Sequence, residues 1–221
     1  ASYETNNWNG IFTSDSEYLS LINLARVKQI ETLDQLDLNE HLSKIERDKL
    51  DAIDKEIINY KHIYGLIDFN DMIQKFLDKG KTPEFSVIFV DEAQDLSLIQ
   101  WSMIKKIEED TKCDVWIAGD DDQAIFGWAG ADVDSFINWE AKEIPLKYSK
   151  RVPSSIQKIA LDVINRVQDN RLDKEYFPKE ELGSIFEIYK LSDIDMSKDD
   201  WLILTRTKSL LKPIPTYLKK K

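Results

Sequence analysis

The 221-residue chain is poor in the residues that staple or punctuate a fold. It has one cysteine, Cys113, which excludes an internal disulfide and leads us to expect a reduced, cytoplasmic protein. It has only seven glycines, none set in the pattern G-x-x-x-x-G-K-[ST]. The loop whose backbone amides and lysine cradle nucleotide phosphates is therefore missing from these residues. No apolar run approaches the roughly 20 residues of a membrane span, and the opening residues do not read as a secretory signal. The two histidines, His41 and His62, share no metal-ligand spacing with Cys113, so no zinc site is expected. Positive charge is also scarce: 30 Lys and Arg stand against 41 Asp and Glu, a net charge of −11. That balance argues against tight non-specific binding of nucleic acid by the whole surface, while leaving room for a local basic channel. Internal repeats and low-complexity tracts are absent as well.

With 42% hydrophobic residues the chain can bury a sizeable core in one or two domains. Its most informative stretch runs from Val87 to Ala131. There an apolar run (Phe85, Val87, Ile88, Phe89, Val90) delivers Asp91 and Glu92 to the end of what reads as a buried strand. Parallel α/β sheets place their chemistry at that edge. An amphipathic helix follows, then a second apolar strand (Val115, Trp116, Ile117, Ala118) ending in Gly119-Asp120-Asp121-Asp122-Gln123. An acidic pair after a strand is often a solvated turn or a helix cap. In a nucleotide hydrolase the first carboxylate instead holds Mg²⁺ and the second polarises the attacking water. The two blocks stand in the order, and at the separation, that one crossover helix requires.

VDEAQD followed by GDDDQAIFGWAGA resembles motifs II and III of the superfamily-one DNA helicases of the UvrD/Rep/PcrA kind. LKYSKRVPSSIQKIA (Leu146 to Ala160) is similar to the family's fourth motif, and WLILTRTK (Trp201 to Lys208) to the strand that follows it. LIDFNDMI (Leu66 to Ile73) resembles the helix that precedes the Walker B strand. The resemblance covers roughly Gly65 to Leu211 and is specific in motifs II and III. It implies an α/β fold: a RecA-like P-loop NTPase sheet fragment, preceded by a helical subdomain and followed by the start of a second motor domain. In the family the phosphate-binding loop lies well upstream of motif II, so the expectation is an internal piece, or a truncated derivative, of a longer ATP-dependent DNA helicase. The other reading is a non-catalytic nucleic-acid-binding or interaction module on a helicase scaffold.

Organisation along the chain follows the same lines. Residues 1–62 read as helical, either the family's inserted subdomain or a plain helical bundle, with Ser14 to Glu17 opening one helix and Leu42 to Ile58 forming another. The segment with Asn6, Asn7, Trp8 and Gly10 reads as loop. Residues 63–140 read as the C-terminal part of the first motor domain and 141–221 as the N-terminal part of the second. Within them we expect a helix from Phe69 to a cap at Gly80, a helix through Ile99, Met103, Ile104 and Ile107, a strand from Ile144 to Tyr148 and a helix through Ile156 to Val167. A polar loop from Gln168 to Glu181 and strands at Ser184 to Tyr189 and Trp201 to Thr205 complete the expectation.

The resemblance assigns roles residue by residue. Asp91 would hold Mg²⁺ and Glu92 would activate water. Gln94, with Asp95, would tie the loop to motif III and stand near the nucleotide. Gln123 would sense the terminal phosphate of ATP, its amide able both to donate and to accept. Asp121 and Asp122 read as a solvent-facing acidic loop. Trp128, presented between Gly127 and Ala129-Gly130, would stack on a base of single-stranded DNA, and core packing is the competing role. Phe126 is either core or a second aromatic at that site. Arg151 would reach the γ-phosphate from the second motor domain, though Ser149-Lys150-Arg151 departs from the family's N-Y-R and plain surface charge is the alternative. Arg206 reads as a structural ion pair. The implied partners are single-stranded DNA and single/double-strand junctions, with no membrane, and the implied settings are DNA repair and replication.

Overall fold

Apolar residues at helical spacing organise the front of the chain in the computed structural model, which describes residues 14–39, 42, 44–167, 171–190, 193–196, 200–205, 208–212 and 214. Helix α1 (Ser14–Val27), α2 (Thr32–Asp37) and α3 (Arg47–Tyr64) bury Leu21, Ile22, Leu36, Ile45 and Leu50 against one another, with Tyr18, Leu33, Leu42, Ile53 and Ile57 around them. The expected second helix therefore starts later than Leu42. Leu42 and Ile45 instead form a turn whose apolar side chains still face the core, and α2 is an additional helix. Gly65 ends α3 at φ +61, a left-handed position that suits glycine.

Helix α4 (Phe69–Lys79) opens on a capping box: Asp68 accepts the Asp71 N–H at 2.8 Å and Asp71 accepts the Asp68 N–H at 2.9 Å. It closes at Gly80, whose N–H donates to the Phe76 carbonyl at 2.8 Å. Arg26 and Lys61 converge on the same box, binding both Asp68 and Asp71. The start of α4 is thereby locked to α1 and α3.

Strand β1 (Val87–Val90), helix α5 (Leu98–Thr111) and strand β2 (Asp114–Ile117) form a βαβ unit, with Val87 opposite Asp114 and Val90 opposite Ile117 in parallel register. Ile88, Val90, Val115 and Ile117 face a core of Ala93, Trp101 and Ile104. Trp101, outside the periodicity read from Ile99 and Ile104, is the largest side chain of that core; it packs 5.3 Å from Trp139 and donates from Nε1 to the Asp132 carbonyl at 3.2 Å. The expectation of a buried strand needs correction. Val87, Phe89 and Trp116 point to an open face, Phe89 being 79% exposed. Among the described residues, α5 together with Phe136 and Trp139 packs against one side of this two-stranded sheet, so alternate side chains find apolar neighbours there.

Helix α6 (Val133–Ile137) follows the second strand's loop. A second parallel pair, β3 (Tyr148–Pro153) and β4 (Phe177–Lys179), flanks helix α7 (Ser154–Ile164). Three expectations change here. The strand begins at Tyr148, where the expected one ended, because Tyr148 pairs with Phe177 and their rings stack at 5.1 Å. The segment 168–181, read as loop, contains β4. The stretches expected as strands at 184–189 and 201–205 form none among the described residues: they have no pairing neighbour, and Phe186, Tyr189, Leu202 and Leu204 are exposed. Residues 18–184 group as one compact unit, and the described residues among 14–17 and 185–214 as another, which includes α8 (Lys208–Leu211) and the buried Ile214. Two parallel βαβ units behind a helical segment make the chain α/β. Trp8, His41, Arg206 and the opening loop fall outside the described residues.

Candidate functional site

The carboxyl ends of β1 and β2 are tied together before any functional side chain is placed. Ala118 donates its N–H to the Val90 carbonyl at 2.7 Å, and Ala93 donates to the Ala118 carbonyl at 3.0 Å. Between these bonds the chain must turn sharply, and Glu92 takes a left-handed backbone at φ 50 and ψ 40. A non-glycine residue held there stores strain, which the surrounding bonds maintain. Asp91 and Glu92 both stand exposed at this turn, and Asp91 Oδ1 accepts the Glu92 N–H at 3.0 Å. Among the described residues no ammonium or guanidinium pairs with either carboxylate.

Gln94 is the pivot. It is buried, and its Nε2 donates to Glu92 Oε2 at 2.8 Å while its Oε1 accepts the Asp120 N–H at 3.0 Å. The acidic pair and the loop after β2 are thereby joined through one side chain. Gly119 makes room for it: a Cβ there would stand 2.7 Å from Gln94 Oε1 and 2.9 Å from the Phe136 ring. Asp95 lies under the same turn with its Oδ1 buried and unpartnered. Burial, and then the neighbouring Glu92, push its carboxyl above the ordinary range.

Gln123 closes the next link, donating from Nε2 to Asp120 Oδ2 at 2.6 Å. Asp121 and Asp122 are not the solvent-facing loop read from the sequence. Lys174 bonds Asp120 Oδ1 at 2.6 Å, Asp121 Oδ1, and Asp122 Oδ2 at 3.4 Å. Arg171 grips Asp122 with Nε at 2.6 Å and Nη2 at 3.1 Å, and Leu172 donates its N–H to Asp121 Oδ2 at 2.8 Å. The Asp121 side chain is left 1% exposed. Burial works against the charged form of Asp120, but hydrogen bonds from Lys174 and Gln123 outweigh it and hold the carboxyl below its usual range. Three carboxylates this close, within 4.8 Å, could hold a metal ion. The Lys174 ammonium and Arg171 guanidinium already stand where a cation would.

The aromatic loop follows. Phe126 and Trp128 lie 6.3 Å apart with their rings tilted by 52°, and Trp128 is 55% exposed, more open than a core tryptophan. Gly130 has φ +96, and a Cβ there would meet Val27 Cγ2 at 2.4 Å, so the loop rests directly on α1. A shallow cleft lined by Val27, Phe69, Ile73, Asp95, Gln100 and Phe126 opens beside it.

The structure thus gathers Asp91, Glu92, Gln94 and Gln123 into one hydrogen-bonded neighbourhood. Arg151 stands exposed within β3, and among the described residues no ion pair ties it to that neighbourhood. Sequence reading missed Asp120, Arg171 and Lys174. The two cations sit in a polar segment without periodicity, and nothing local marks them as facing Asp120 to Asp122, 49 to 54 residues away.

Sequence comparison finds relatives of this chain among known proteins. The model of the UvrD/REP helicase N-terminal domain matches residues 4–145. Among curated relatives, DNA helicase II of Haemophilus influenzae is 31% identical over 69% of this chain and 24% of its own length. DNA helicase II of Escherichia coli is 33% identical over 57% of the chain and 19% of its own. The ATP-dependent DNA helicase PcrA of Staphylococcus epidermidis is 30% identical over 48% and 16%. In these alignments the chain spans about a quarter or less of each relative's length.

Proposed function

This chain belongs to the UvrD/REP helicase N-terminal domain family, and on that premise we propose that it is part of an ATP-dependent DNA helicase that couples hydrolysis to movement along single-stranded DNA and to duplex unwinding. One observation carries the reading: Gln94 joins the Glu92 carboxylate to the Asp120 backbone, so the acidic pair and the Gln123 loop respond together.

Asp91, exposed at the end of β1 and free of competing cations among the described residues, suits Mg²⁺. The metal, with ATP bound, would supply charge neutralisation on the phosphates. Glu92 takes a proton from the attacking water, and its Oε2 is oriented by the Gln94 amide. Gln123 reads the terminal phosphate by exchanging its bond to Asp120 for one to the nucleotide. Arg151 adds a guanidinium from the second motor domain. Trp128, with Phe126 beside it, offers a face on which bases stack without sequence preference, as movement along single-stranded DNA and its junctions requires.

The domain reading goes with this function: 1–62 as inserted helical subdomain, 63–140 as the end of one RecA-like motor domain, 141–221 as the beginning of the next, acting in the cytoplasm. No helix of the described residues is long and apolar enough to cross a membrane. The alternative is a non-catalytic nucleic-acid-binding or interaction module on a helicase scaffold. The two are separated by Glu92→Gln in the protein expressed from its whole reading frame. The helicase reading expects retained ATP binding with hydrolysis slowed by orders of magnitude. Turnover at the parent rate removes Glu92 from the reaction, and a parent protein without DNA-stimulated turnover removes the helicase reading.

A further inference from the structure

We propose that Lys174, with Arg171 beside it, is a positioning residue for the acidic turn at Glu92, acting through a continuous run of hydrogen bonds from the far βαβ unit. The run is short and fully specified. Lys174 Nζ binds Asp120 Oδ1 at 2.6 Å; Asp120 Oδ2 receives Gln123 Nε2 at 2.6 Å; the Asp120 N–H donates to Gln94 Oε1 at 3.0 Å; Gln94 Nε2 donates to Glu92 Oε2 at 2.8 Å. Every residue in it lies in the compact unit 18–184. Lys174 precedes β4, whose strand pairs with β3, so its ammonium is anchored in the unit that carries Arg151.

The electrostatics show why a cation is required there. Asp120, Asp121 and Asp122 place three carboxylates within 4.8 Å, and the Asp121 side chain is almost fully buried. Like charges at that spacing, away from water, repel strongly unless paired. Arg171 neutralises Asp122 through two bonds, leaving Asp120 and Asp121 to share Lys174. Burial works against the ammonium, yet the bonds to Asp120 and Asp121 outweigh it, and Lys174 is held above the ordinary lysine range. Remove that charge and the loop must open or protonate. Either change moves the Asp120 N–H and Oδ2, which hold Gln94 and Gln123. Lys174 touches no reacting atom; its effect is on the orientation of those that do.

The catalytic half of this inference rests on the helicase reading; the structural half does not, and the test separates them. In the ¹⁵N-labelled chain, Lys174→Met should shift the side-chain amide resonances of Gln94 and Gln123. Lys147→Met, which removes the ion pair with Glu175 and none to Asp120, Asp121 or Asp122 among the described residues, should leave them in place. In the protein expressed from its whole reading frame, Lys174→Met should lower kcat for DNA-stimulated ATP hydrolysis about tenfold, with KM for ATP changed by less than about threefold. Lys174→Arg, which keeps the charge, should recover most of kcat. Unmoved Gln94 and Gln123 amides, or a kcat no lower than that of Lys147→Met, would overturn the proposal. So would a Lys174→Met variant that loses thermal stability while retaining kcat. If the parent protein shows no DNA-stimulated turnover, the helicase reading falls, and the amide shifts alone decide whether Lys174 positions the turn.

Discussion

The side-chain oxygen of Gln94 accepts the backbone N–H of Asp120 at 3.0 Å, across 26 residues of chain. That bond makes the ends of two parallel strands a single object. Replacing Gln94 with Leu keeps the volume but leaves the Asp120 N–H without its acceptor and Glu92 without its donor. The expected loss is about 1–3 kcal/mol of folding free energy, read from urea denaturation. An unchanged midpoint would mean that water takes over both bonds.

Gly119 tests the same contact from the other side. A methyl group added there would stand 2.7 Å from Gln94 Oε1 and 2.9 Å from the Phe136 ring. Gly119→Ala should cost about 1–3 kcal/mol through overpacking and should disturb Gln94 as well as Phe136. Differential scanning calorimetry gives the first effect, and side-chain amide shifts the second.

Two tryptophans should behave oppositely. Trp101 is 1% exposed, packed on Trp139 and bonded to the Asp132 carbonyl, so Trp101→Ala should destabilise by about 3–5 kcal/mol. Trp128 is more than half exposed, and Trp128→Ala should leave the melting temperature nearly unchanged. If Trp128 stacks on bases, the same change in the whole protein should weaken single-strand binding by about 1–3 kcal/mol, measured by fluorescence anisotropy. A large fall in melting temperature with unaltered DNA affinity would make Trp128 a structural residue.

Acid sensitivity should concentrate at the start of α4. Burial raises the Asp68 carboxyl, but hydrogen bonds from Arg26, Lys61 and the Asp71 N–H outweigh it and hold the group well below its ordinary 3.8. A carboxyl lowered by folding stabilises the native state above its unfolded value and loses that contribution as pH falls through its folded value. Stability should therefore decline below about pH 4, with a smaller slope in Asp68→Asn. Because the Asp68 side chain is partly exposed, added salt should flatten the difference. Equal acid slopes in the two proteins would assign the decline to other carboxylates.

The 221-residue chain alone should turn over ATP slowly or not at all, since no G-x-x-x-x-G-K-[ST] loop lies within it to hold the phosphates. A coupled ATPase assay with and without single-stranded DNA checks this. DNA-stimulated turnover by the chain would show that its residues hold the nucleotide by some other means.

What the sequence determined by itself was local or periodic. A continuous apolar run placed β1, and helical spacing placed α4, α5 and α7, because one face of a helix repeats along the chain. The order of Asp91-Glu92 and Gln123 around one helix carried the family resemblance, since a parallel strand pair needs that crossover. Tertiary structure alone decided the rest. Whether Phe89 and Trp116 are covered depends on what lies across the sheet, and an apolar residue reads the same in either case. Strand β4 exists because β3 offers it a partner, whereas the stretches 184–189 and 201–205, more apolar than β4, have none among the described residues. Arg171 and Lys174 meet Asp120 to Asp122 only after two βαβ units fold, and an ion pair between loops leaves no period in a sequence. Charge pairing over such separations is a property of packing, so the link from Lys174 to Glu92 became visible only in three dimensions.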